Sequence, residues 1–173
     1  GMERRQLHFA WNLAYSVPNP VIASMVSWPT RTPLRFSFTR FQARLLRRKF
    51  VRAGLRHRNV AVENGDVAVW VGGEGPPLLL LQGFGASALW QFHPQVRALA
   101  KRRTLVIPDL LYFGGSTSPN GERSVAYQAN TMFQLMDALA FDQFDLMGLS
   151  YGGFVSVWMV AEQPKRVTRL ILN

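Results

Sequence analysis

Ser150 lies between two glycines in Gly148-Leu149-Ser150-Tyr151-Gly152, after the apolar run 144–147 and before a stretch of helical composition that continues to residue 163. A serine on a sharp strand-to-helix turn is presented for nucleophilic attack. The turn strains its backbone, and that strain is tolerated only with small residues two positions away on either side. Gly148 and Gly152 meet that requirement. The chemistry implied is acyl transfer: Ser150 attacks a carbonyl, an acyl-enzyme forms and water releases the acid. The tetrahedral oxyanion needs two preorganised N–H donors. One comes from the residue after the nucleophile, here Tyr151. The other comes from an earlier strand-to-helix loop, expected in Gln82-Gly83-Phe84-Gly85-Ala86, with Phe84 as the donor. Gly83 lets that backbone turn toward the pocket.

The rest of a triad is harder to find. Serine hydrolases built on such a turn place the acid and then the histidine after the serine, yet only 23 residues follow Ser150, with no His and no Asp among them. Glu162 falls in the predicted helix. Asp109 ends a predicted strand but precedes the serine, so it reads as a structural carboxylate accepting loop N–H groups. His93, next to Pro94 in a helical stretch, reads as a packed or surface residue, and His8 and His57 belong to a basic N-terminal region. The expectation is the nucleophile half of a serine hydrolase, either a fragment or a protein that cannot complete its triad. Cysteine is absent, which removes disulfides and thiolate metal sites. No metal and no cofactor is implied.

The elements that must position these residues alternate. Residues 60–63 and 67–71, joined at Asn64-Gly65, read as a hairpin. Short apolar runs at 78–81, 104–108, 144–147 and 168–172 read as buried strands. Helical stretches fall at 88–99, 124–140 and 151–163. In the second of these, Ser124 is the N-cap and Val125, Ala129, Met132, Met136 and Leu139 form the apolar stripe. A hairpin followed by βαβαβαβ predicts an α/β fold, a mostly parallel sheet with helices on both faces. Function is expected at the C-terminal strand ends. The last strand, with Ile171 expected to face the core, would leave an open edge through which the chain associates with itself.

The net charge of +10 divides sharply. Residues 1–58 hold 12 Lys and Arg against the single acid Glu3, whereas residues 59–173 hold 8 Lys and Arg against 9 acids. A basic N-terminal extension (1–58) and a nearly neutral α/β unit (59–173) are therefore expected. Residues 7–28 carry no Lys, Arg, Asp or Glu. Pro18, Pro20, Asn12 and Asn19 interrupt them, so a spanning segment of about 20 apolar residues is weakly represented. Residues 34–55 set Leu34, Phe38, Phe41 and Leu45 at helical spacing, with Arg40, Arg44, Arg47, Arg48, Lys49 and Arg52 between and beyond them. Two readings follow: a helix lying on an anionic membrane, or a helix packed on the domain with a solvated basic face. The expected location is cytoplasmic or peripheral at a membrane surface, with contact through residues 7–55. Nucleic-acid binding has no accompanying motif.

From about Leu78 to Asn173 the chain resembles the α/β-hydrolase superfamily, and is most similar to its monoacylglycerol-lipase-like branch. The likeness rests on Gln82-Gly-Phe-Gly, Trp90-Gln-Phe, Ile107-Pro-Asp-Leu-Leu-Tyr-Phe-Gly-Gly-Ser116 and Gly148-Leu-Ser-Tyr-Gly-Gly153. The resemblance implies Ser150 as nucleophile, Phe84 and Tyr151 as oxyanion donors, and 109–116 as a structural loop beside the pocket. It implies a small-molecule carboxylic ester as substrate. Gln82 stands where the family usually has His, and its amide can also hydrogen-bond to hold the loop. A serine nucleophile argues against dehalogenase and epoxide hydrolase activity. It leaves a carbon–carbon bond hydrolase or a catalytically silent binding protein as alternatives. The chain ends at the counterpart of the family's sixth strand, so the cap, the acid and the His have no counterpart in it.

Overall fold

The computed structural model describes residues 37–85 and 87–173. Eleven elements are present among them: α1 Phe38–Arg52, β1 Leu55–Val62, β2 Gly65–Gly72, β3 Pro77–Leu81, α2 Ala88–Phe92, α3 Val96–Leu99, β4 Thr104–Pro108, α4 Val125–Ala138, β5 Phe144–Gly148, α5 Tyr151–Glu162 and β6 Val167–Leu172. The six strands form one sheet in the order β1-β2-β4-β3-β5-β6. The β1–β2 and β2–β4 pairs are antiparallel, and the others are parallel.

Alternation along the central strands sends side chains to both faces, and each face is covered. Leu79, Leu81, Val106 and Leu146 meet Met132, Met136, Val155 and Met159 of α4 and α5. Leu78, Leu80, Leu105 and Ile107 meet Leu46 and Phe50 of α1 and Leu89, Phe92 and Val96 of α2 and α3. Strands buried on both faces read as unbroken apolar runs for this reason. The hairpin turn is pinned to α4: the Asn64 amide donates to Thr131 Oγ1 at 2.9 Å and Asn130 Oδ1 at 3.1 Å, and Tyr127 Oη donates to the Asn64 carbonyl at 3.0 Å. Ser124 caps α4 by accepting the Tyr127 N–H at 3.2 Å.

Four features differ from the sequence expectation. The helix expected over 88–99 is two short helices, because Pro94 has no N–H to donate to the Trp90 carbonyl and so breaks the helical hydrogen-bond ladder. β1 starts at Leu55, paired with Gly72, so the charge boundary after residue 58 runs through a strand. The compact unit begins at Ser37. Arg56, His57 and Arg58 are exposed on β1, so the change in charge follows a solvated strand surface and is not a break in the fold. In α1 the buried side chains are Leu46 and Phe50, while Phe38 and Leu45 of the anticipated stripe are 63% and 41% exposed. Leu34 of that stripe, His8 and residues 7–28 lie outside the described residues.

Ile171 is the fourth difference. It is 52% exposed, because β6 is the sheet edge and no strand flanks its far side among the described residues. An apolar edge presents unpaired N–H and C=O groups to other chains. We expect the 173-residue chain to show concentration-dependent association by light scattering. Ile171→Lys should reduce it without lowering the melting temperature, since the side chain is half solvated. A monodisperse monomer at every concentration would show that the edge is protected.

Candidate active site

Ser150 closes β5 and opens α5 with φ 50° and ψ −113°, a strained region for a residue with a side chain. Close packing enforces the bend. A Cβ on Gly152 would come within 2.4 Å of the Leu81 carbonyl oxygen, and one on Gly148 within 2.5 Å of the Gly152 carbonyl oxygen. Three strand ends hold the turn: the Leu149 N–H donates to the Leu81 carbonyl at 3.0 Å, the Ser150 N–H to the Asn173 carbonyl at 2.8 Å, and the Asn173 N–H to the Gly148 carbonyl at 3.1 Å.

The loop after β3 reaches the same point. A Cβ on Gly83 would meet the Ser150 Cβ at 3.0 Å, so glycine allows the loop to lie against Ser150. The N–H groups of Phe84 and Tyr151 have no acceptor among the described residues. Their side chains join Phe113 in a three-ring cluster, with Phe84 to Tyr151 at 4.8 Å, Phe84 to Phe113 at 5.6 Å and Phe113 to Tyr151 at 6.3 Å between centroids. Beside Ser150 an open cavity of about 340 Å³ is lined by Gly153, Phe154, Val157, Leu172 and Asn173, with no charged side chain among the described residues.

Two polar side chains brace this loop. Gln91 of α2, to which the sequence reading gave no role, accepts the Gly83 N–H at 2.8 Å and donates to the Gly83 and Phe84 carbonyls at 3.4 Å. The available signal was a lone amide among Leu89, Trp90 and Phe92, directly after a glycine-rich loop. Asp109 accepts the Ala88 N–H at 2.7 Å and the Gly115 N–H at 3.0 Å, tying the 109–116 loop to the helix that follows the Phe84 loop. Gln82 is fully buried, and neither atom of its amide has a partner among the described residues. Neither described histidine faces Ser150. His57 packs on Trp70 at 4.9 Å, and His93 Nδ1 lies 2.9 Å from the Trp90 carbonyl oxygen.

Residues 76–173 match the family described as the alpha/beta hydrolase fold. This chain belongs to that family. Over 104 residues it is 38% identical to an uncharacterized protein of Mycobacterium tuberculosis, covering 59% of this chain and 30% of that one. It is 34% identical over 105 residues to a 2-hydroxymuconate semialdehyde hydrolase of a Pseudomonas species, covering 58% of this chain and 36% of the relative. Among solved structures, a membrane phospholipase A matches with a TM-score of 0.73 and 29% identity, over 99% of this chain and 51% of that one. The chain thus spans about a third to a half of the length of these relatives, whose names do not single out a monoacylglycerol branch.

Burial raises the Asp109 carboxyl above its ordinary value, while the N–H groups of Ala88 and Gly115 and the charges of His57 and Arg47 pull it down. A raised folded-state pKa means that folding favours the protonated form. That contribution is complete below the unfolded value and is lost as pH rises through the folded one. Asp109→Asn should cost about 0.5–1.5 kcal/mol in urea unfolding, because its amide oxygen can accept from only one side while the exposed Gly115 N–H turns to water. The cost should be smaller at about pH 7 than at about pH 4. A cost that grows with pH would mean that the carboxylate is held as a favourable charge.

Proposed function

We propose that this hydrolase chain carries the nucleophile half of a serine hydrolase that cleaves carboxylic esters with apolar acyl groups through an acyl-enzyme on Ser150. The observation that carries this reading is a serine in strained geometry beside two uncommitted N–H groups. Attack by Oγ on the ester carbonyl would place the oxyanion against the N–H groups of Phe84 and Tyr151, each such donor supporting about 2.7–4 kcal/mol of barrier lowering. The apolar, uncharged cavity beside Ser150 favours a hydrocarbon acyl chain. A histidine from the rest of a longer protein would take the Oγ proton, since His57 and His93 are engaged elsewhere. A silent binding protein would have no need of the strained serine. A carbon–carbon bond hydrolase would use the same nucleophile, and the 2-hydroxymuconate semialdehyde hydrolase relative keeps that reading second.

Peripheral contact with an anionic membrane through residues 7–55 belongs to the same proposal. Exposed Phe38 and Leu45 stand beside Arg44 and Arg48 on α1, and a membrane phospholipase A is structurally similar. No helix among the described residues is long and apolar enough to cross a membrane.

The 173-residue chain should turn over p-nitrophenyl butyrate slowly. A serine hydrolase stripped of its triad retains roughly 10³–10⁴-fold over water from oxyanion stabilisation and binding. Comparable rates for wild type and Ser150→Ala, together with failure of a fluorophosphonate to label Ser150 in any longer form, would remove Ser150 from the mechanism. For membrane contact, sedimentation with anionic vesicles should fall in Arg40→Gln/Arg44→Gln/Arg48→Gln, at about 1 kcal/mol per arginine. Unchanged sedimentation would remove α1 from that contact.

A further inference from the structure

The pole of the sheet opposite Ser150 carries two adjoining cavities of about 600 and 610 Å³. They lie where Leu55 pairs with Gly72 and where β3 and β4 begin, whereas the Ser150 turn lies past the end of β5. Lys49, Arg52, His93 and Arg97 line the first, and Arg52, Glu74, Arg97 and Lys101 line the second. Arg52 and Arg97 therefore stand between the two.

The charges here are unbalanced. Lys49 and Arg52 come from the last turn of α1, and Arg97 and Lys101 from α3 and the residues after it, so the fold brings four cations together from distant segments. All four are exposed, and none has an ion pair among the described residues. Elsewhere the acids are used: Asp145 takes Arg103 and Arg169, and Asp137 takes Arg166. Among the described residues Glu74 is the only acid lining either cavity. Helix C-termini offset at most about half a charge each, and α3 is a single turn. About two positive charges remain uncompensated in a concave site, where facing walls focus the field. Arginine is suited to such a ligand because its planar fork matches the oxygens of a phosphate bidentately.

We propose that this cleft binds a phosphomonoester, held by Arg52 and Arg97 and flanked by Lys49 and Lys101. Each cavity taken singly is within the range of sites that hold small ligands. Because the cleft is a strand's length from Ser150, its occupant does not compete with the ester. The phosphomonoester is either a free metabolite or the headgroup of a phosphatidic-acid-like lipid.

The test uses the 173-residue chain in two arms. One is calorimetric titration with glycerol 3-phosphate; the other is sedimentation with phosphatidylcholine vesicles with and without phosphatidic acid. Saturable binding is expected, weakened at least about tenfold by Arg52→Gln/Arg97→Gln and also weakened by Lys49→Gln/Lys101→Gln. Arg56→Gln/Arg58→Gln removes the same charge from the exposed face of β1 and should leave binding nearly unchanged. All six side chains are exposed, and thermal melts of each variant verify folding. Binding to glycerol 3-phosphate identifies a free ligand, whereas the same variant pattern on phosphatidic acid vesicles alone identifies the lipid headgroup. Absence of saturable binding in both arms, or equal weakening by the Arg56/Arg58 control, overturns the proposal.

Discussion

The structure depends on the bend at Ser150. Holding a side-chain-bearing residue at φ 50° costs on the order of 1–3 kcal/mol, and the surrounding contacts over-determine it. The turn is wedged between the end of β3, whose carbonyls leave no room for a Cβ at position 152, and the end of β6, whose Asn173 exchanges hydrogen bonds with Gly148 and Ser150. Those strand ends are in turn fixed by two packed faces, α4 and α5 on one side and α1, α2 and α3 on the other. The strain at one residue is thus carried by the burial of the whole sheet.

The loop opposite the serine is ordered by different means. Its glycines permit close approach but supply no rigidity, and the Gln91 amide and the Asp109 carboxylate provide that from outside. Each accepts a backbone N–H that would otherwise lack a partner, and each belongs to an element anchored in the core. Gln91 takes the Gly83 N–H, while the Phe84 N–H has no acceptor among the described residues. Preorganisation of this kind lets a donor act on a transition state without rearranging.

Much of this was legible in the residues. The serine flanked by glycines, the glycine-rich loop after an apolar strand, the capped α4 and the succession of strands and helices along the chain all follow from local patterns that the fold leaves intact. What the sequence concealed depended on tertiary context. The role of Gln91 requires knowing that a short helix folds back over its own loop. The start of β1 at Leu55 was hidden because three exposed residues, Arg56, His57 and Arg58, interrupt the alternation that marks a strand. The buried face of α1 differs from the aromatic stripe because Leu46 and Phe50, not Phe38 and Leu45, meet the sheet. The cationic cleft joins residues about 45 positions apart, beyond any periodic signal.

The central claim is geometric: an oxyanion on the carbon attacked by Ser150 is received by the N–H groups of Phe84 and Tyr151. A crystal structure of the chain, or of a longer form, after reaction with an alkyl fluorophosphonate tests it most directly, because the phosphonyl oxygen occupies the place of the oxyanion. The account predicts phosphorus bonded to Ser150 Oγ, with that oxygen about 2.7–3.1 Å from both nitrogens and the alkyl chain against Phe154 and Val157. An adduct whose oxygen points into solvent, or a label on any residue other than Ser150, would contradict it.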